Sequence, residues 1–125
     1  MPPANSVGRK SLGKWGEEVA AEHLRAAGYE ILYQNYRTSY GEIDLIARKD
    51  QQLVFVEVKT RSSLSLGNPE ISVTPRKQKH LLASIEAFLQ ENPQHQEDWR
   101  VDVVAIRKLG HGAGPEIVQF ENAIC

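Results

Sequence analysis

Apolar and polar positions change period several times along this chain, and each change marks an element. From about Leu12 to Ala27, Ala20, Leu24 and Ala27 recur on one helical face, flanked by Trp15, Val19 and His23. Gly28 ends that run as a C-terminal glycine would. Tyr29 to Arg37 then reads as a strand by its aromatic and β-branched content. A period of two follows in Gly41-Glu42-Ile43-Asp44-Leu45-Ile46 and in Phe55-Val56-Glu57-Val58-Lys59, with Lys49-Asp50-Gln51-Gln52 between them as a four-residue hairpin connection. Residues 60–69 have no period and are rich in Ser, Gly and Pro, which predicts a long loop bordering whatever the hairpin forms. Thr74 and Pro75 suit the cap and first position of a second helix, whose apolar face is Leu81, Leu82, Ile85, Phe88 and Leu89, reaching about Gln90. Arg100 to Ile106 is a largely apolar strand for a sheet interior, Gly110 to Pro115 is a flexible turn, and Glu116 to about Glu121 can return as an edge strand. Residues 1–10 lack periodicity and read as a flexible arm, leaving 11–125 as one domain. The order α-β-β-β-α-β, plus a C-terminal edge strand, predicts an α/β fold: a mixed central sheet with a helix on each face, its parallel pair formed through a crossover.

The hairpin carries chemistry. Residues two apart on a strand share a face, so Glu42 goes with Asp44 and Glu57 with Lys59, while Ile43, Leu45, Val54, Val56 and Val58 take the other face. In the register that sets Arg48 against Leu53, Asp44 stands opposite Glu57 and Glu42 opposite Lys59. Like charges directly opposite repel, so an Asp facing a Glu asks for a compensating cation, and Lys59 alone faces three carboxylates. The Asp44 face also carries Ile46, Leu53 and Phe55, so both faces need cover and the acids fall at the edge of a packed region, as in a cleft. Two readings follow: a metal site or a surface ion-pair cluster.

Composition narrows the choice. A chain of 125 residues can bury roughly two thirds of its unfolded surface as one domain without staples. Its single cysteine is Cys125, and His23, His80, His95 and His111 show no paired spacing, which excludes a zinc motif or a disulfide framework. With no apolar run near the roughly 18 residues of a membrane span, and no signal-like segment, a soluble cytoplasmic protein is expected. The net charge of -1 argues against a uniformly basic nucleic-acid binder. Basic residues are nevertheless gathered at Arg9, Lys10 and Lys14 and again at Arg76, Lys77 and Lys79. Arg76 and Lys77 sit where the helix dipole disfavours positive charge, a cost that makes sense if a phosphate docks at the free amides; otherwise they form a solvated basic turn.

Asp44 with Glu57-Val58-Lys59, in this element order, resembles the PD-(D/E)XK nuclease superfamily, with Ile43 replacing the nominal proline. Adding Gly13-Lys14-Trp15-Gly16-Glu17 and Arg100-Val101-Asp102-Val103-Val104, the chain from about residue 11 onward resembles the bacterial YraN family, regarded as similar to Holliday-junction-resolvase-like endonucleases. The resemblance implies a restriction-endonuclease-like fold and hydrolysis of DNA phosphodiester bonds, with branched DNA among the substrates. It further implies that Asp44, Glu57 and Glu17 hold Mg²⁺ or Mn²⁺, that Lys59 positions or polarises the attacking water, and that a homodimer would fit. Hard oxygen ligands suit Mg²⁺. Glu18 replaces Glu17 if the first helix is rotated; Glu42 is either a ligand or the cross-strand partner of Lys59; Asp102 is either structural, bonded to Arg100 or a loop, or part of the site. Lys14, Arg76, Lys77 and Gln78 are the candidate nucleic-acid contacts. The competing function is a non-catalytic nucleic-acid- or protein-binding module that retains the fold.

Overall fold

The computed structural model describes residues 8–62, 74–110 and 112–124. Its elements are α1 (Gly8–Ala26), β1 (Glu30–Thr38), β2 (Gly41–Lys49), β3 (Gln52–Ser62), α2 (Pro75–Glu91), β4 (Asp98–Lys108) and β5 (Glu116–Phe120). The strands form one mixed sheet in the order β1-β2-β3-β4-β5. All neighbours are antiparallel except β3 and β4, which run parallel with α2 as their connection.

Each helix covers one face of the sheet. Ala20, Ala21 and Leu24 of α1 pack with Leu45, Val54, Val56, Val104 and Ile106. Leu81, Ile85 and Phe88 of α2 pack with Ile46, Phe55 and Val101 on the opposite face. A sheet buried on both sides needs the near-continuous apolar runs seen in β3 and β4. The helix termini follow their sequence signals. Thr74 caps α2, its Oγ1 accepting from Lys77 N at 3.2 Å, with Pro75 in the first turn. Gly28, at φ 93°, closes α1 while Gly28 N donates to Arg25 O and Tyr29 N to Leu24 O, the paired bonds of a Schellman cap.

Several expectations need correction. α1 begins at Gly8, ahead of Leu12, so residues 8–10 are helical and only 1–7 of the expected arm lie outside the described residues. The hairpin turn is two residues, Asp50 and Gln51, at φ 52° and 64°, because left-handed residues match the twist of the paired strands better than a wider loop. Thr60 to Ser62 continue β3 beside Ile106 to Lys108 of β4, and residues 63–73, the rest of the expected loop, lie outside the described residues.

The alternation of β2 also breaks. Leu45 belongs to the α1 side of the core, yet Ile43 belongs to the α2 side. Opposite them, Gln34 pairs with Leu45 and Tyr36 with Ile43, while the residue between, Asn35, takes φ 53°. That left-handed residue resets which way the neighbouring side chains face, and Tyr33 and Tyr36 both pack on the α2 side in consequence. Asp44 sits at this irregularity.

Candidate metal and phosphate site

The sheet splits where the acids lie. From Lys49↔Gln52 to Leu45↔Val56 the register of β2 and β3 is the expected one, and it stops there. Beyond it, β2 stays paired with β1 through Gly41, and β3 stays paired with β4 through Ser62. Asp44 reaches across the opening, its Oδ2 accepting from Val58 N at 2.8 Å. The carboxylate thus satisfies an amide that no β2 carbonyl pairs with. Glu57 and Asp44 therefore meet as neighbours across a gap.

Glu17 enters this gap from α1. The helix approaches closely at Gly16, where a Cβ would run into the Thr60 side chain, so glycine is what lets the next residue reach the sheet. Glu17, Glu42 and Asp44 each place a ligand-type oxygen within 4.8 Å of one another. Burial first, then Glu57, Glu17 and Glu42, push the Asp44 carboxyl up to about 8 against the pull of the Val58 amide. The Glu17 carboxyl is also raised, by burial above all, while the Asn35 side-chain hydrogen bond and Lys14 act the other way. Three carboxylates held this close, with Glu57 beside Asp44, want positive charge.

Part of that charge is present. Lys59 is 8% exposed and its Nζ lies 3.2 Å from Glu57 Oε1, so its partner is the glutamate two residues away on its own strand. The expected cross-strand pairing with Glu42 fails because β2 and β3 have already parted; Glu42 instead meets Arg37 at 3.3 Å and the acid cluster. Lys77 of α2 comes so near Lys59 that this neighbour, as hydrogen-bonding group and as like charge, pulls its pKa down. Two adjacent amines beside an acid cluster match an anion bridging to a cation.

The groove between the parted strands, about 810 Å³, is lined by Glu17, Asp44, Glu57, Lys59 and Thr60 among others. A smaller pocket of about 220 Å³ adjoins it across Glu57 and takes in Lys77. Arg76 and Lys14 are exposed and Gln78 is half-buried. Asp102 stands apart, fully buried, accepting from Arg100 Nε at 3.0 Å, Gln119 Nε2 at 2.9 Å and Asn122 N at 2.9 Å, which fits the structural alternative. Glu42, left open between two roles, and Asn35, not singled out by sequence, are the additions. The signal for Asn35 was its residue type, since Asn adopts positive φ more readily than other non-glycine residues.

Fold and site together define a two-helix, five-strand mixed α/β domain with carboxylates and lysines gathered in a split of its sheet. The chain belongs to the uncharacterised protein family UPF0102, whose family model matches residues 16–106, and the YraN resemblance points to this same family. A UPF0102 protein of Syntrophomonas wolfei is 48% identical over 97 residues, 78% of this chain and 84% of its own. One from Rhodococcus opacus is 45% identical over 113 residues, covering 90% and 95%, and one from Syntrophotalea carbinolica is 43% identical over 115 residues, covering 92% of each. The matched span contains all of the carboxylates and both lysines of the groove. Among the described residues, no helix is long and apolar enough to cross a membrane.

Proposed function

We propose that this protein is a divalent-cation-dependent nuclease hydrolysing DNA phosphodiester bonds. The observation that carries the reading is the meeting of Glu17, Glu42 and Asp44 with the Glu57–Lys59 pair where β2 and β3 part. The donor set fits Mg²⁺ or Mn²⁺: hard carboxylate oxygens, clustered, with Asp44 raised by burial and by the other acids as expected of ligands awaiting a cation. Glu17, Glu42 and Asp44, whose oxygens lie within 4.8 Å of one another, would hold it, with Glu57, the third expected ligand, beside Asp44 and paired to Lys59; when bound it supplies Lewis acidity and an activated water. Loading requires Asp44 to give up its proton.

The chain's own residues do the rest. Lys59, little exposed and fixed by Glu57, holds a positive charge beside the acids where a phosphoryl oxygen would lie, and its screening from water strengthens that interaction. Lys77 adds a second donor from the α2 side. Asp44 occupies the Val58 amide where the strands part, and each strand stays paired to its outer neighbour, so the groove exists before substrate arrives.

The test is Mn²⁺-dependent cleavage of linear, flapped and four-way DNA, with calorimetry for the cation. Asp44→Asn and Glu57→Gln should abolish cleavage, and Asp44→Asn should lose cation binding, with circular dichroism unchanged. Parent-like cleavage by both variants would show that the chemistry lies elsewhere.

A further inference from the structure

Aromatic residues that could meet a nucleobase divide sharply by what already holds them. Trp15 packs into the α1-side core with Lys108 over its ring, and Tyr36 stacks edge-on against Tyr33 and Phe88 while its hydroxyl bonds Glu91. Tyr40 is different. It is 57% exposed and stands at the tip of the β1–β2 turn, as part of the wall of the small pocket that Glu57 shares with the acid groove.

The backbone that carries the ring is tied down. Thr38 Oγ1 accepts from Tyr40 N at 3.1 Å and lies 2.9 Å from Gly41 O and 3.0 Å from Ser84 Oγ, tying the turn to α2. Gly41, at φ 144°, lets the chain re-enter β2 immediately after the tyrosine. His80, one helical turn before the buried Ser84, presents a second exposed ring to the pocket, and Lys77 lies one turn before His80. The pocket wall therefore carries acids (Glu42, Glu57), an amine (Lys77) and two aromatic rings (Tyr40, His80) together, the groups that a nucleotide's cation-bound phosphate and its base would meet.

Resting on the nuclease reading, we propose that Tyr40 and His80 form a stacking subsite for an unpaired nucleobase next to the scissile phosphate, so that the substrate is a DNA strand with unpaired nucleotides. A base within a duplex presents both faces to its neighbours and has none to offer a side chain. An unpaired base stacks on an aromatic ring whatever its identity, so the subsite selects strand state without selecting sequence. Leu81 and the two rings give the pocket apolar surface beside the Lys77 amine, which offers a nucleotide both a stacking wall and a cationic donor.

The experiment is fluorescence anisotropy without divalent cation, in EDTA, using labelled oligothymidylate, a flapped duplex and a blunt duplex. The parent should bind the first two more tightly than the third. Tyr40→Ala should lose about tenfold or more on unpaired and flapped DNA and nothing on blunt duplex, while Tyr40→Phe retains parent affinity. His80→Ala should show a smaller loss with the same selectivity. Equal affinity of Tyr40→Ala and the parent for oligothymidylate, an equal loss on all three ligands, or no binding of unpaired DNA by the parent would overturn the proposal. Because no cation is present, this result is separate from the cleavage test: Tyr40-dependent binding with no turnover defeats the nuclease reading alone, and turnover with an indifferent Tyr40 defeats the stacking subsite alone.

Discussion

Asp44 couples the chemistry of the groove to the stability of the fold. Its carboxyl ionises at 3.8 in water and near 8 in the folded chain, so folding holds a proton that the unfolded chain releases between those values. The folded state binds the extra proton, and stability that is full below about pH 4 is lost as pH rises through about 8. Asp44→Asn keeps an oxygen for the Val58 amide and removes the charge. In urea titrations the variant should therefore be more stable than the parent above pH 8, with the gap closing towards pH 4. Mn²⁺ at a hundredfold excess over Kd should stabilise only the parent, by about 2.7 kcal/mol, and so narrow the gap. A parent whose stability is flat across this pH range would refute the buried proton. At this scale the Glu57–Lys59 pair was legible from two-residue alternation, and the nearness of Asp44 to Glu57 from the hairpin register, although Asp44 reaches β3 through the Val58 amide and not through strand pairing. Asn35 was missed: its residue type hints at the positive φ, but its bond to Glu17 depends on how α1 sits against the sheet.

Elements were legible where one signal dominates: the Thr74-Pro75 start of α2, the Gly28 stop of α1, and the apolar centre of β4. They were illegible where alternatives cost nearly the same. Lys49 to Gln52 is polar throughout, and hydropathy does not distinguish a four-residue connection from a two-residue one; the left-handed pair Asp50 and Gln51 settles it. Gln51 is strained there, and an Asp-Gly pair is a favoured sequence for such a turn. Gln51→Gly should therefore stabilise the protein by about 0.5–1 kcal/mol, read as a rise in Tm of about 2–4 °C. A fall in Tm would mean that the turn draws support from the Gln51 side chain. The broken alternation of β2 was likewise out of reach, because it originates in β1 and reaches β2 through pairing.

At the scale of the whole molecule, two buried charge systems stand on the same sheet among the described residues. One is the open acid groove; the other is closed around Asp102, where Arg100 also reaches Tyr29, Gln52 and Glu121 and so joins β3, β4 and the chain after β5. The second is saturated with partners, which is what a structural role requires. Asp102→Ala leaves Arg100 without its buried counter-charge and should cost about 3 kcal/mol in chemical denaturation, while Mn²⁺ binding to the folded protein stays unchanged. Loss of cation affinity in folded Asp102→Ala would instead tie this acid to the groove. The net charge of -1 sums every charged residue of the chain and says nothing of how they are separated in space, so composition alone understated the acid groove. The parting of β2 from β3 carries one more consequence. The aperture is a row of ladder rungs left out of the sheet, and its width is therefore a property of the main chain, held by two strand pairs that each remain zipped to an outer neighbour. Side-chain replacement can change what the aperture grips, but evolution could retune its cargo many times without rebuilding the frame.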